Sequence, residues 1–194
     1  MGYEIELKAH IDEQEVERLL SKIRNFEGTV DLGRINKEDI YWADSDDSEP
    51  VFRTRYEVFS YGSRILFTSK PYKTKTVGTE FNTENEFTVS ADQWDKVIKF
   101  VRGLGLCVCR HKYKNGWHFE CQQDGFNIHA EILEVKYLGY FLEMEIAGDD
   151  NDDVDKIAAE TSLHRLLENL NVSSEAIEPK GYNRMLTECG HRLG

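Results

Sequence analysis

Long apolar runs are missing from these 194 residues, and no stretch approaches the roughly 18 to 20 consecutive apolar side chains of a helical membrane span. The opening MGYEIELKAH has neither the basic start nor the apolar run of a secretory signal. A soluble, cytoplasmic protein with no membrane partner is therefore expected. Cysteine is scarce: Cys107, Cys109, Cys121 and Cys189 match no C-x-x-C spacing, which argues against a zinc or redox motif and for reduced, buried thiols. Basic residues are in deficit, 24 Lys and Arg against 36 Asp and Glu, giving a formal net charge of −12 and a pI near 5.0. That balance excludes the broad phosphate-neutralising surface of a nucleic-acid binder. It leaves room for a phosphate ligand held by a few focused cations. Linkers, low-complexity segments and sequence repeats are also absent, so residues 1–188 are expected to form one domain with a short tail, 189–194.

What is present is alternation. Four segments carry helical spacing. One starts at Asp12, with Glu15 in the capping-box position and Val16, Leu19, Leu20 and Ile23 on one face; another starts at Ser90, with Gln93 in the box position and Trp94, Val97, Ile98 and Val101 on one face. A third spans about Asp153 to Leu170, burying Val154, Ile157, Leu163, Leu166, Leu167 and Leu170, and a short fourth follows Pro179. Elsewhere the period is two. Strands are expected over 3–10, 34–43, 51–59, 64–71, 79–89, 107–114, 117–133 with a turn at Gln123-Asp124-Gly125, and 137–147. The order predicts an α+β domain built on a large antiparallel sheet.

The polar faces of these strands are unusual. A half-buried strand shows an apolar face to the core and a mixed polar face to water. Here one face carries charge in register, strand after strand: Glu4, Glu6 and Lys8; Arg53 and Arg55; Arg64, Thr68 and Lys70; Glu84 and Glu86; Arg110 and Lys112; His129 and Glu131; Glu143 and Glu145. A solvated sheet with alternating charges is the plain alternative. An eight-stranded closed antiparallel barrel explains the pattern better, because closure turns one residue parity inward on every strand and leaves the apolar parity for helices packed outside. Such an interior needs a charged guest. Adding the roughly −4 of a triphosphate and the roughly +4 of two divalent cations to the inward acids and bases leaves the interior near neutral. Carboxylates without a His or Cys cluster favour Mg²⁺ or Mn²⁺ over Zn²⁺.

These residues resemble the CYTH domain, the triphosphate tunnel metalloenzymes that include class IV adenylyl cyclases, thiamine triphosphatases and inorganic triphosphatases. Glu4-Ile5-Glu6-Leu7-Lys8 is similar to the ExExK signature, and it is followed in the family's order by Asp39-Ile40-Tyr41, Arg53-Thr54-Arg55, Thr68-Ser69-Lys70-Pro71, Glu84-Asn85-Glu86 and the segment from Leu138 to Glu145. Glu178-Pro179-Lys180-Gly181-Tyr182 resembles the ending of the class IV cyclase branch. There are departures: Asn82 stands where a base often precedes the Glu84-x-Glu86 pair, and the histidine-phenylalanine pair that precedes ExExK in some cyclases is missing.

The resemblance implies a tunnel in which Glu4, Glu6, Glu131, Glu143 and Glu145 bind divalent metal. It places Lys8, Arg53, Arg55, Lys70, Arg110 and Lys112 on phosphate oxygens, with Lys8, Glu84 and Glu86 taken as catalytic. The implied cofactor is Mg²⁺ or Mn²⁺, the partner a small-molecule triphosphate such as ATP, and the candidate assembly a homodimer. Two reactions fit such a tunnel: conversion of ATP to cyclic AMP and pyrophosphate, or hydrolysis of inorganic, nucleoside or thiamine triphosphate. A non-catalytic binder of polyphosphorylated ligands is the third reading. His10 is expected at the surface, Tyr41 and Tyr182 in packing roles, and His129 is equally suited to packing or to orienting a ligand.

Overall fold

The computed structural model describes residues 2–75, 79–149 and 155–191, with the side chains of 2, 70–75, 79–84 and 149 outside the description. Eight strands dominate: β1 (Gly2–Ile11), β2 (Val30–Ala43), β3 (Phe52–Phe59), β4 (Gly62–Lys75), β5 (Thr79–Ser90), β6 (Cys107–Gln123), β7 (Phe126–Val135) and β8 (Gly139–Asp149). Four helices connect or follow them: α1 (Val16–Arg24), α2 (Trp94–Gly103), α3 (Lys156–Asn169) and α4 (Tyr182–Glu188). Strand pairing runs β1-β5-β4-β3-β2-β6-β7-β8, every neighbour antiparallel, and β8 pairs back onto β1 to form a closed barrel. Among the described residues no helix is long and apolar enough to cross a membrane.

Alternation sorts the side chains between two environments. On β1, Tyr3, Ile5, Leu7 and Ala9 join Ile128, Ala130 and Ile132 of β7 and Leu142, Met144 and Ile146 of β8 in one apolar cluster outside the barrel. The buried stripes of α1 (Val16, Leu19, Leu20, Ile23) and α3 (Ala159, Leu163, Leu166, Leu167) cover it. Burying side chains of this size contributes about 1.5–3 kcal/mol each relative to exposure. A smaller cluster joins Ile40 and Trp42 of β2 to Val101 of α2. With the apolar parity used outside, the opposite parity faces the lumen.

Several local expectations are corrected. Neither Asp12 nor Ser90 makes a side-chain cap: each precedes a 3-10 turn, so the α-helices begin only at Val16 and Trp94, and the Glu15 carboxylate is bound instead by Arg18. On α3 the working cap is Asp155, which accepts from the backbone of Ile157 and Ala158. The expected start of this helix at Asp153, with Val154, lies outside the described residues. Ile157, read as buried, is 78% exposed in that first turn. The expected gap at 115–116 does not exist, since β6 runs through it, and Gly116 allows this by the closeness of its neighbour: a Cβ there would sit 1.9 Å from the Ile132 carbonyl oxygen. All four cysteines are free as expected, but only Cys109 and Cys121 are buried; Cys107 is half-buried and Cys189 exposed. His10 is exposed and pairs with Glu178.

Candidate active site

Antiparallel register turns the in-phase charges into rows around the lumen. Directly opposed across neighbouring strands stand Arg110, Tyr41, Arg53, Thr68 and Glu86; in the next row Lys112, Asp39 and Arg55; in the next Lys114, Lys37, Glu57 and Arg64. This is a predominantly basic wall built from β2, β3, β4 and β6. Across from it, β7, β8 and β1 oppose Glu131 to Glu143, Glu143 to Lys8, His129 to Glu145 and Glu145 to Glu6. That wall is predominantly acidic. The two enclose one cavity of about 1420 Å³, lined by Glu4, Glu6, Lys8, Arg53, Arg55, Glu86, Arg110, Lys112, Glu131, Glu143 and Glu145. Every expected site residue whose side chain is described thus lines it. Lys70 and Glu84 lie outside the described side chains.

The basic wall is held by Asp39, which is fully buried. Arg55 donates to both of its oxygens, Nε to Oδ1 at 2.5 Å and a terminal nitrogen to Oδ2 at 3.0 Å, and Lys112 Nζ stands 3.0 Å from Oδ2. Burial alone would raise the Asp39 pKa, but Arg55, Lys112 and Arg53 outweigh it and hold the carboxyl well below the usual carboxylate range. Lys112 also donates to the Tyr41 hydroxyl at 2.9 Å. Arg53 donates to Thr68 Oγ1 at 2.8 Å, and Thr68 in turn donates to Glu86 at 2.5 Å. Arg110 reaches Glu49 at 3.1 Å at the rim.

Two ion pairs cross between the walls. Lys37 Nζ donates to both Glu131 oxygens at 2.5 and 2.7 Å, and Lys114 Nζ donates to Glu143 at 2.6 Å. Against the cost of burial, Lys37 and His129 depress the Glu131 pKa well below normal, and Lys114 lowers that of Glu143. His129 is bound on both sides, Nδ1 to Glu120 at 2.8 Å and Nε2 to Glu131 at 3.1 Å. Burial opposes its charge, but these bonds push its pKa to about 10, so it is cationic at neutral pH.

Glu145 is the exception. Burial and the adjoining Glu4 carboxyl, which hydrogen-bonds it, raise its pKa well above normal. Two carboxyls in such contact share a proton unless a cation replaces it. Among the described residues no three His, Cys, Asp or Glu side chains converge closely enough to hold an ion, because Glu131 and Glu143 are drawn toward lysines. The donor set is nevertheless all oxygen, suited to a hard cation.

Near one end, Tyr182 of α4 lies among Lys8, Lys112 and Lys114, whose ammonium groups stand 4.7, 5.1 and 4.5 Å from its ring centroid. Its ring meets Phe141 edge-on at 4.9 Å, and with Val135 and Met185 these form a small apolar plug. Tyr41 and Tyr182 are therefore cavity residues and not packing alone.

Sequence reasoning missed Lys37, Glu57, Lys114, His118 and Glu120, and it left Asp39 without a role. The signal was present. Lys37 and Asp39 alternate in phase with Tyr41, Glu57 with Arg55, and Lys114, His118 and Glu120 with Lys112.

The CYTH domain family matches residues 2–182. The chain belongs to the CYTH family. Its CYTH fold is shared with PH1819 from Pyrococcus horikoshii OT3, at a TM-score of 0.71 and 23% identity over 96% of this chain and 99% of that one. A candidate adenylate cyclase from Vibrio parahaemolyticus superposes at 0.70 with 14% identity, covering 95% of this chain and 98% of its own. HpAC1 from Hippeastrum, a candidate adenylyl cyclase described as having a dominant triphosphatase activity, superposes at 0.63 with 13% identity over 100% of this chain and 98% of that one. At these identities the likeness is one of fold. No curated protein sequence matches the chain.

Proposed function

We propose that this CYTH protein is a divalent-metal-dependent enzyme acting on a small-molecule triphosphate, with ATP conversion to cyclic AMP and pyrophosphate as the first reading. The observation that carries it is the separation of charge inside one lumen, cations on the β2-β3-β6 wall facing carboxylates on the β1-β7-β8 wall. A polyanion and a cation can each be met by the wall of opposite sign. Arg53 and Arg55 present planar forks suited to two-point contact with phosphate oxygens, and Lys8, Lys112 and Lys114 act as point charges. Glu4, Glu6, Glu143 and Glu145 would hold Mg²⁺ or Mn²⁺, with Glu131 available once Lys37 turns to the phosphate chain. Bound there, the ion would supply charge neutralisation on phosphate oxygens.

Asp39 keeps Arg55 and Lys112 in place before substrate arrives, so part of the ordering cost is met in advance. Release of Lys37 and Lys114 from Glu131 and Glu143 frees two acids and two bases together. Glu86, hydrogen-bonded through Thr68 to Arg53, orients that guanidinium. Hydrolysis of a triphosphate is the second reading, favoured by the activity described for HpAC1, which shares the fold.

The test is direct. Purified protein with Mg²⁺ or Mn²⁺ is offered ATP, inorganic triphosphate and thiamine triphosphate separately. Cyclic AMP with pyrophosphate is the expected product; orthophosphate selects hydrolysis, and absence of any turnover overturns the enzymatic reading.

A further inference from the structure

The charged rows do not fill the tunnel. Along β3 the cavity-lining residues run Arg53, Arg55, Glu57, Phe59, and along β6 Arg110, Lys112, Lys114, His118, Glu120, so on both strands a ring follows the basic positions, on β6 with the Glu120 carboxylate beyond it. Phe59 ends β3 and Tyr61 lies in the hairpin turn that follows. Their rings stack with centroids 5.1 Å apart and planes within 9°. His118 completes the cluster, 5.4 Å from Phe59 and 6.3 Å from Tyr61. All three line the cavity that holds the candidate site.

The cluster reaches from solvent into the wall. Tyr61 is 69% exposed, whereas His118 is 1% exposed. The His118 ring bonds the backbone of Leu32, and its Nε2 finds no hydrogen-bond partner among the described residues. A buried nitrogen left unpaired costs stability, so a polar group that completes it on binding gains accordingly. Arg64, its guanidinium 5.2 Å over Phe59 and bonded to Glu57, joins this end to the charged rows. The cavity, about 1420 Å³, exceeds the roughly 300–1,000 Å³ typical of pockets for drug-sized ligands, so a group attached to the phosphates has room.

Resting on the reading of the lumen as a triphosphate site, the geometry points to a ring-binding subsite at this mouth: Phe59, Tyr61 and His118 take the planar heteroaromatic ring of a triphosphate ester. The substrate is then a nucleoside or comparable ring-bearing triphosphate, and inorganic triphosphate is the poorer ligand. Stacking on an aromatic side chain tolerates any ring with a π-face, so these residues favour a class and not one base.

Calorimetric titration of the full chain with ATP, thiamine triphosphate and inorganic triphosphate, each with Mg²⁺, tests this. At least one ring-bearing ligand is expected to bind at least tenfold more tightly than inorganic triphosphate. Tyr61→Ala should weaken that ligand about tenfold and leave inorganic triphosphate within twofold, while Tyr61→Phe retains the preference. The exposed turn position spares the fold. His118→Gln, checked for unchanged circular dichroism, should also reduce the preference. Equal affinity for ring-bearing and inorganic ligands overturns the subsite and leaves the proposed function standing. So does a Tyr61→Ala variant that weakens all ligands alike or none. If the wild-type chain binds no triphosphate at all, the proposed function fails and the subsite with it.

Discussion

Asp39 shows how one residue sets the electrostatics of a wall. A fully buried carboxylate is tolerable only because Arg55 and Lys112 both bind it, and removing it would leave two buried cations facing each other. Asp39→Asn is expected to destabilise the protein by on the order of 3 kcal/mol in urea denaturation at neutral pH. Its pH dependence has a definite sign. The folded pKa lies well below the unfolded value of about 3.9, so this stabilisation is complete above that value and is lost as pH falls from there toward the folded one. Unfolding free energy measured between about pH 5 and pH 2 should therefore fall less steeply in Asp39→Asn than in the wild type. Glu145 has the opposite character, a carboxyl that resists ionising beside Glu4. Glu145→Gln should abolish metal-dependent turnover while the urea midpoint holds or rises, since a strained acid pair is removed and no core atom is lost; full activity in this variant would refute the metal assignment.

Strands decide what a sequence alone can reveal here. Glu4, Glu6, Lys8, Arg53 and Arg55 were legible because period two and unlike neighbours make an inward charged face visible on a short, regular strand. Lys37, Glu57 and Lys114 were not, although they continue the same phase. Each lies near the middle of its strand's partner network, where its meaning comes from opposition across strands, such as Lys37 against Glu57 and Lys114, and that pairing is not written in any one segment. Helix starts were misplaced for a local reason: a 3-10 turn absorbs the expected caps at Asp12 and Ser90. The strands expected over 107–114 and 117–133 are continuous through Gly116, where glycine marks close backbone approach and not a break. Gly116→Ala would set a methyl against the Ile132 carbonyl, and a loss of about 3 kcal/mol or more, seen as a lower urea midpoint with β6 and β7 spread apart, is the expected result.

At the scale of the molecule, function and stability occupy opposite faces of one sheet. The helices α1 and α3 and the outer parity of β1, β7 and β8 supply the apolar core, while the inner parity carries paired charge that by itself contributes little net stability. Ligands that bind only the folded state raise its stability by about 2.7 kcal/mol at a hundred times the dissociation constant. Mg²⁺ and a triphosphate together should therefore raise the thermal midpoint by several degrees, and a chelator should reverse most of the gain. A midpoint indifferent to both would contradict a lumen that neutralises itself on loading.

The seam where β1 lies between β5 and β8 has a temporal consequence. Glu4 and Glu6 leave the ribosome well before Glu143 and Glu145, which follow more than a hundred residues later. Contacts that distant in sequence form late and slowly. The acidic face of the lumen is therefore assembled in one late event, when β8 docks between β7 and β1.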